Sequence, residues 1–473
     1  MLGALVLVPA LGGLAAYLDR SEGRRAWLLV LIAGLHLAAT LRLWVVDAPS
    51  ALTGWLRVDP LGLIVLTVVS VLFAAVAAYT IGYLRTERPR GGRVFVACLL
   101  GFLASASLVT LGHHLAVIWI GMETSTLTLA PLVFHRHDRR SLEAVWKYLV
   151  LSSVAIGLAL LGTFFVAAAQ TTGRPLMLDD LITHARSIQP GLLRAAFVFL
   201  LVGFGTKMGL APLHSWKPDT YGEAPSLVAG LMAGALTGCG FLGLARVTSV
   251  MVAAGQQDFV RLPLIGLGLV SLVVAAAFVL GQSDLKRLLA YSSVEHMGLL
   301  VLGLGFGGIG SYGAVLHLIN NGLAKVVMFL TVGNIVLLYK SANASDVRGL
   351  LRRAPISGVM LVAGLFAVTG SPPFGLFVSE FTILGAAVRS GHPWLAVVIV
   401  LLLAIVFVGM ARTILEVAYG EPPDGSSKVP ESALLVGGPI VLLLAVLFFG
   451  LHIPAPLHET LLRAAATLGG LAP

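Results

Sequence analysis

Apolar residues run through this chain in long blocks, and the polar residues that part them are bunched into short intervals. A helix needs about 20 mostly apolar residues to cross a bilayer. Blocks of that order lie at roughly 1–18, 26–46, 60–82, 94–112, 115–134, 145–169, 193–217, 225–252, 262–281, 285–306, 310–339, 355–390, 394–418 and 434–452. The pattern predicts an all-α polytopic membrane protein with about 14 transmembrane helices. The blocks are continuous rather than alternating, which argues against a membrane β-barrel. The loops are too short for an inserted soluble domain. The first block has no basic leader and no clear small-residue cleavage site, so it is expected to stay as the first helix.

Two blocks carry helix breakers. The seventh span reads GFGTKMGLAPLHSWKPD, with Gly209, Pro212 and Pro218 following Lys207. The twelfth reads VTGSPPFGLFVSEFTIL, with Gly370, Pro372, Pro373 and Gly375 ahead of Glu380. Proline removes an amide donor and clashes with the preceding turn, so both helices should be broken. Open backbone inside a bilayer survives only against protein or a wet cavity. The breaks fall five spans apart, and an odd repeat length inverts its second copy. We therefore expect two inverted five-helix units. The division is 1–93 for helices 1–3, 94–252 for helices 4–8, 253–418 for helices 9–13, and 419–473 for helix 14 with a short tail.

Composition narrows the class. The chain of 473 residues is 58% hydrophobic and 11% charged, less than half the charge of an average soluble domain. Disorder is excluded by the same figures. The net charge of +9 is spread over short loops, which rejects nucleic acid as a partner and suits the orienting of spans instead. Odd-numbered loops hold Arg20, Arg24 and Arg25; Arg85, Arg88, Arg90 and Arg93; Arg136, Arg139 and Arg140; Lys286 and Arg287; and Lys340, Arg348, Arg352 and Arg353. Even-numbered loops carry single residues such as Arg57, Arg174, Arg186 and Arg261. The imbalance, roughly three to one, puts the odd loops in the cytoplasm and both termini outside. The cysteines, Cys98 and Cys239, are two, too few for an iron–sulfur cluster, a nickel–iron centre or a Cys-rich zinc site. No metal site and no Cys-bound redox centre is expected in this chain.

Charged groups at mid-bilayer cost about 3 kcal/mol or more and usually serve function. Glu123 lies deep in VIWIGMETSTLTLAPLV, too short to reach an interface; the alternative is a structural carboxylate paired with one lysine. Lys207 stands beside the first break, where a cavity is expected, although a long amine can also snorkel. In HLINNGLAKVVMFL, His317, Asn321 and Lys325 fall at i, i+4 and i+8 on one helix face, about 6 Å apart per step. Such a stripe can order water, or it can glue helices together. Glu380 follows the second break. Lys147, His214, Glu295 and His296 are secondary candidates, Lys147 and His214 being equally readable as interface anchors. Lys286 and Arg287 read as anchors, His113 and His114 as ordinary loop residues, and Asp59 before Pro60 as a helix cap. Burial disfavours the charged form of an acid or a base and an opposed neighbour restores it. A row alternating Glu123, Lys207, Lys325 and Glu380 can therefore pass charge changes laterally. No Walker loop, nucleophile elbow, zinc-protease motif or dinucleotide fingerprint accompanies it.

GTKMGLAPLHSWKPDTYGEAPS, DLKRLLAYSSVEHMGLL, LHLINNGLAKVVMFL and GSPPFGLFVSEFTIL resemble the antiporter-like membrane subunits shared by respiratory complex I, Mrp cation/proton antiporters and membrane-bound hydrogenases. The resemblance spans roughly residues 60–420. AYSSVEHMG and PPFGLFVSEF look most like component F of hydrogenase-4 and formate hydrogenlyase-type complexes. The resemblance implies 14 helices with broken helices 7 and 12. It also implies a proton relay of Glu123, Lys207, His317, Lys325 and Glu380; Lys147, His214, Glu295, His296 and Asn321, taken from the residue pattern, stand as possible secondary members. Iron–sulfur, nickel–iron or flavin cofactors would then belong to partner subunits, and none would be bound by this chain. The partners implied are other membrane subunits and a peripheral redox arm, in a bacterial cytoplasmic (inner) membrane.

The chain departs from the family at three places. Many members carry a lysine in the eighth helix, eight residues before an arginine; counting back from Arg246 reaches Gly238. Asn321 stands where some members have a second histidine. The chain stops about 20 residues past its last span, without the long lateral helix of the largest complex I subunit. The function expected is proton translocation within a redox-driven complex. The alternatives are a membrane subunit of a cation/proton antiporter or of a proton-coupled inorganic carbon transporter, or a scaffold in which Gly238 interrupts conduction.

Overall fold

The computed structural model describes residues 1–46, 48–87, 91–170, 173–421 and 428–469. Arg88 and Arg90 of the second basic loop lie outside the described residues. In chain order the helices are α1 (Leu2–Leu18), α2 (Glu22–Arg42), α3 (Pro60–Thr86), α4 (Gly92–Leu111), α5 (Leu115–Val133), α6 (Arg139–Ala169), the short α7 (Leu178–Thr183), α8 (Pro190–Met208), α9 (Trp216–Glu223), α10 (Ser226–Leu231), α11 (Thr237–Ala253), α12 (Gln257–Val279), α13 (Leu285–Phe306), α14 (Ile309–Tyr339), the single turn α15 (Leu350–Arg353), α16 (Pro355–Val368), α17 (Gly375–Arg389), α18 (Pro393–Tyr419), α19 (Ala433–Leu451) and α20 (Ala455–Thr467). Met232–Leu236 form a π-helical turn that joins α10 and α11 into one rod. Among the described residues the only β pairing is in isolated bridges.

Twelve of these helices are long and apolar enough to cross a membrane. The helix Leu2–Leu18 and the half-helix Pro355–Val368 are apolar but shorter, and a count of fourteen spans requires including α1 and the broken α16–α17 unit. Helix starts follow the expected chemistry. Asp59 caps α3 at the Gly62 amide with Pro60 in the first turn, Asp138 and Ser141 form a capping box on α6, and Asp284 accepts from the Lys286 and Arg287 amides at the start of α13. These side chains satisfy amides that the first helical turn leaves unpaired.

Both predicted breaks are present. Helix α8 ends at Gly209, whose φ of +75° is the left-handed conformation glycine tolerates, and helical structure resumes at Trp216. The freed backbone is met by protein: the Trp216 indole donates to Thr206 O at 2.9 Å, and the Ala211 amide to Ser271 Oγ at 2.9 Å. The second break, between α16 and α17, is met by Asn320 of α14, whose Nδ2 donates to Gly375 O at 3.2 Å.

Helix α14 is the hub, buried almost continuously from Gly310 to Gly333 and packed against α3, α10, α13, α16, α17, α19 and α20. The rod from Ser226 to Ala253 is the most enclosed span. Arg246 pins it from within: its guanidinium donates to Asp59 at 2.6 and 3.1 Å and to the Val109, Thr110 and Gly112 carbonyls at 2.8–3.0 Å. Exposed apolar side chains, among them Leu11, Trp27, Phe164, Leu401 and Leu444, lie on α1, α2, α6, α18 and α19; in water such a belt would be unsustainable, and in lipid it needs no cover.

The structure refines several expectations. The tail is helical: α20 buries Leu461, Ala464 and Ala465, and His458 Nδ1 lies 2.8 Å from Tyr312 Oη. Lys286 is an internal anchor, 2% exposed, its Nζ donating to the Gly222 and Ala224 carbonyls at 2.6 and 2.7 Å at the end of α9. His113 is buried beside Asp179, and His114 caps α5 through the Ala116 amide while stacking on Trp55.

Candidate functional site

Most of the ionisable side chains read from the sequence fall into two units of the same design, with a histidine pair beside the second. In the first, the buried Lys207 of α8 donates to Thr126 Oγ1 of α5. The Thr126 hydroxyl lies 3.5 Å from Glu123 Oε2 and 3.1 Å from Met122 O, so its single proton can serve either acceptor. Glu123 and Lys207 therefore meet through a hydroxyl. Glu123 is half-buried, and its other oxygen accepts from Ser153 Oγ of α6 at 3.3 Å, on an exposed flank. The Lys207 ammonium also lies 5.7 Å from the centre of the buried Tyr148 ring.

In the second unit Lys325 of α14 donates to Ser292 Oγ of α13 at 2.7 Å, and Ser292 Oγ donates to Glu295 Oε2 at 3.3 Å. This is again lysine, hydroxyl, carboxylate. One helical step away, His296 Nδ1 and His317 Nε2 are 3.1 Å apart, and His317 Nδ1 is 2.9 Å from Ser379 Oγ, the neighbour of Glu380. All of these side chains are buried. Within each of the two runs, Lys325–Ser292–Glu295 and His296–His317–Ser379, every group lies within hydrogen-bond reach of the next, and such a run can move a proton without moving an atom far.

His296, His317 and Glu380 bring ligand-type atoms within 4.8 Å of one another, a cluster the expectation of no metal site did not foresee. The two rings already spend facing nitrogens on each other, and Lys325 stands two turns along α14 from His317. His317 also meets Ser379 Oγ through its other nitrogen, so both of its ring nitrogens already have partners within the protein.

The other candidates divide. Asn321 is buried on α14, but its Oδ1 has no protein partner. His214 sits half-buried in the first break, its ring 6.4 Å from that of Tyr291. Lys147 lies apart from the row: two turns inside α6 and 42% exposed, it pairs with Glu143 at 2.7 Å and Asp219 at 2.8 Å. Asp219 also takes Arg287, so the cluster ties α6, α9 and α13 together.

Sequence reasoning passed over Thr126, Ser292, Ser293 and Lys217. The hydroxyl residues are ordinary in a membrane helix, and only their spacing of three residues from Glu123 and Glu295 marks two of them. Lys217 sits in WKPD, at the far end of the interrupted seventh span, where it reads as part of the break. In the structure it is fully buried, with Nζ donating to Ser293 Oγ at 3.0 Å.

Residues 112–406 match the family described as NADH:quinone oxidoreductase/Mrp antiporter, transmembrane. A hydrogenase-4 component F homolog from Methylacidiphilum infernorum is 30% identical over 470 residues, covering 96% of this chain and 97% of that protein. NADH-quinone oxidoreductase subunit N from Hydrogenovibrio crunogenus is 29% identical, covering 83% and 82%. Among solved structures, a chain of the membrane-bound sulfane sulfur reductase, an archaeal respiratory membrane complex, superposes with a TM-score of 0.88 at 21% identity, covering 99% of this chain and 98% of that one. The chain belongs to the NADH:quinone oxidoreductase/Mrp antiporter transmembrane family.

Proposed function

We propose that this chain is the proton-translocating membrane subunit of a redox-driven complex of the hydrogenase-4/formate-hydrogenlyase or complex I type. The observation that carries the reading is the row itself: two buried lysine–hydroxyl–carboxylate units followed by a histidine pair that leads to Glu380. Glu123, Lys207, His317, Lys325 and Glu380 are its working residues. Lys207 takes up a proton when Glu123 is ionised and releases it when that attraction weakens; Lys325 and Glu295 repeat the exchange, and His317 carries it to Glu380. Each step is a change of charge on a fixed group, set by its neighbour. The chain makes and breaks no covalent bond of substrate.

In this reading residues 94–252 and 253–418 are inverted five-helix units, each holding one broken helix. The odd-numbered loops face the cytoplasm and both termini lie outside. Iron–sulfur, nickel–iron or flavin groups sit in partner subunits, and this chain binds none.

Tagged purification in mild detergent, with mass spectrometry of co-purifying chains and iron, nickel and zinc assays, tests the assignment. Sibling membrane chains together with iron-bearing peripheral chains are expected. A preparation without iron, holding only sibling membrane chains or one zinc-bearing soluble partner, would contradict the redox coupling and favour cation exchange or carbon uptake.

A further inference from the structure

Lys217 has no part in the row as read from the sequence, yet its surroundings are those of a working group. It is fully buried in α9, and among the described residues the one hydrogen bond its ammonium makes goes to the neutral Ser293 hydroxyl. An ammonium carries three donors, and a buried one without a carboxylate partner is costly to keep. Ser293 adjoins Ser292, the acceptor of Lys325, so two lysines hang from consecutive hydroxyls of α13.

On its other side Lys217 approaches the first unit. Its ammonium lies 5.9 Å from the Tyr221 ring centre, as that of Lys207 lies 5.7 Å from Tyr148. Trp216 packs between the two tyrosines, with ring centres 5.3 Å from Tyr148 and 6.0 Å from Tyr221. The Tyr221 hydroxyl faces Ser293 and the Tyr148 hydroxyl faces Thr126; both are buried and, among the described residues, neither makes a hydrogen bond of normal geometry, and buried polar atoms of this kind are ordinarily completed by ordered water.

Two glycines fit the same picture. Gly209, in the left-handed conformation, gives room to the Lys217 stem, which a Cβ at that position would strike. Gly238 is not required by close packing: a Cβ there would meet only Val65 at 3.8 Å and Leu318 at 3.9 Å, ordinary apolar contacts.

We propose that Lys217 is the central relay group of this chain, passing a proton between Lys207 and Lys325 from α9, in place of the α11 side chain that Gly238 lacks. The inference rests on the proton-relay reading above. In the step itself a protonated Lys217 gives one proton, through the hydroxyls of α13 and water, to a neutral Lys325 amine; one ammonium becomes an amine, the other the reverse, and total charge is conserved.

The test uses the whole assembly purified through this chain and reconstituted in proteoliposomes. Proton entry under a valinomycin-set potassium potential is read with trapped pyranine, for wild type, K207A, K217M and K217R. Arginine keeps the positive charge but holds its proton throughout the working pH range. Both Lys217 variants are expected to assemble and to pass protons at least about tenfold more slowly than wild type, a barrier increase of about 1.4 kcal/mol. Wild-type rates in assembled K217M would overturn the proposal. Wild-type rates in K217R would do so as well, by showing that only a fixed cation is needed, and this variant decides alone if K217M does not assemble. Loss in K207A with retention in either Lys217 variant overturns this inference only, whereas retention in K207A overturns the relay reading beneath it.

Discussion

Thr126 carries no charge, yet its hydroxyl stands between Glu123 and Lys207. Its hydroxyl accepts from the lysine and can turn its own proton from the Met122 carbonyl to the glutamate. Thr126→Val keeps the volume and removes that path, leaving two buried charges without a common partner. We expect proton transport to fall by about tenfold, a barrier increase of about 1.4 kcal/mol, with assembly unchanged and Thr126→Ser retaining activity; pyranine traces on reconstituted complex measure this. Glu123, Lys207, Lys325 and Glu380 were legible in the sequence because a charge in an apolar run is anomalous by itself. Thr126, Ser292 and Ser293 were not, since small hydroxyl residues satisfy themselves on the preceding helical turn and raise no signal. Lys217 was hidden for another reason: it ends the seventh block beside Pro218, and a lysine at the edge of a span is unremarked until that edge proves buried.

The interrupted helices α8 and α16–α17 were readable as elements because Gly and Pro state their backbone requirements locally. What closes each break is remote: Ser271 for the first and Asn320 for the second, each brought in by tertiary packing. The same holds for Arg246. Counting residues marked it as a reference point, while the structure shows it joining α11 to the cap of α3 and the end of α4. Removing one partner of a buried pair typically costs about 3 kcal/mol or more. Arg246→Met is therefore expected to lower stability by about that amount and to shift thermal unfolding of the detergent-solubilised protein downward. Unchanged unfolding would mean that the Asp59 and carbonyl contacts hold nothing in place. The helical tail α20 escaped the sequence reading because it is amphipathic and short, with neither the length of a span nor a charge run.

Across the whole molecule the candidate groups extend from Glu123 on the exposed flank of α5 and α6, through α13 and α14, to Glu380 in α17. A half-buried carboxylate at the edge of a membrane subunit is placed to respond to charge on a neighbouring chain, and the centre of the row is sheltered from lipid by the rim helices. In the proposed relay, Lys207 is the group at which a charge change on Glu123 passes into the interior. The account therefore stands most directly on Lys207. Proton entry into proteoliposomes holding the intact assembly should be abolished in Lys207→Ala, with membrane insertion and subunit composition as in wild type. Wild-type proton entry in that variant would contradict it.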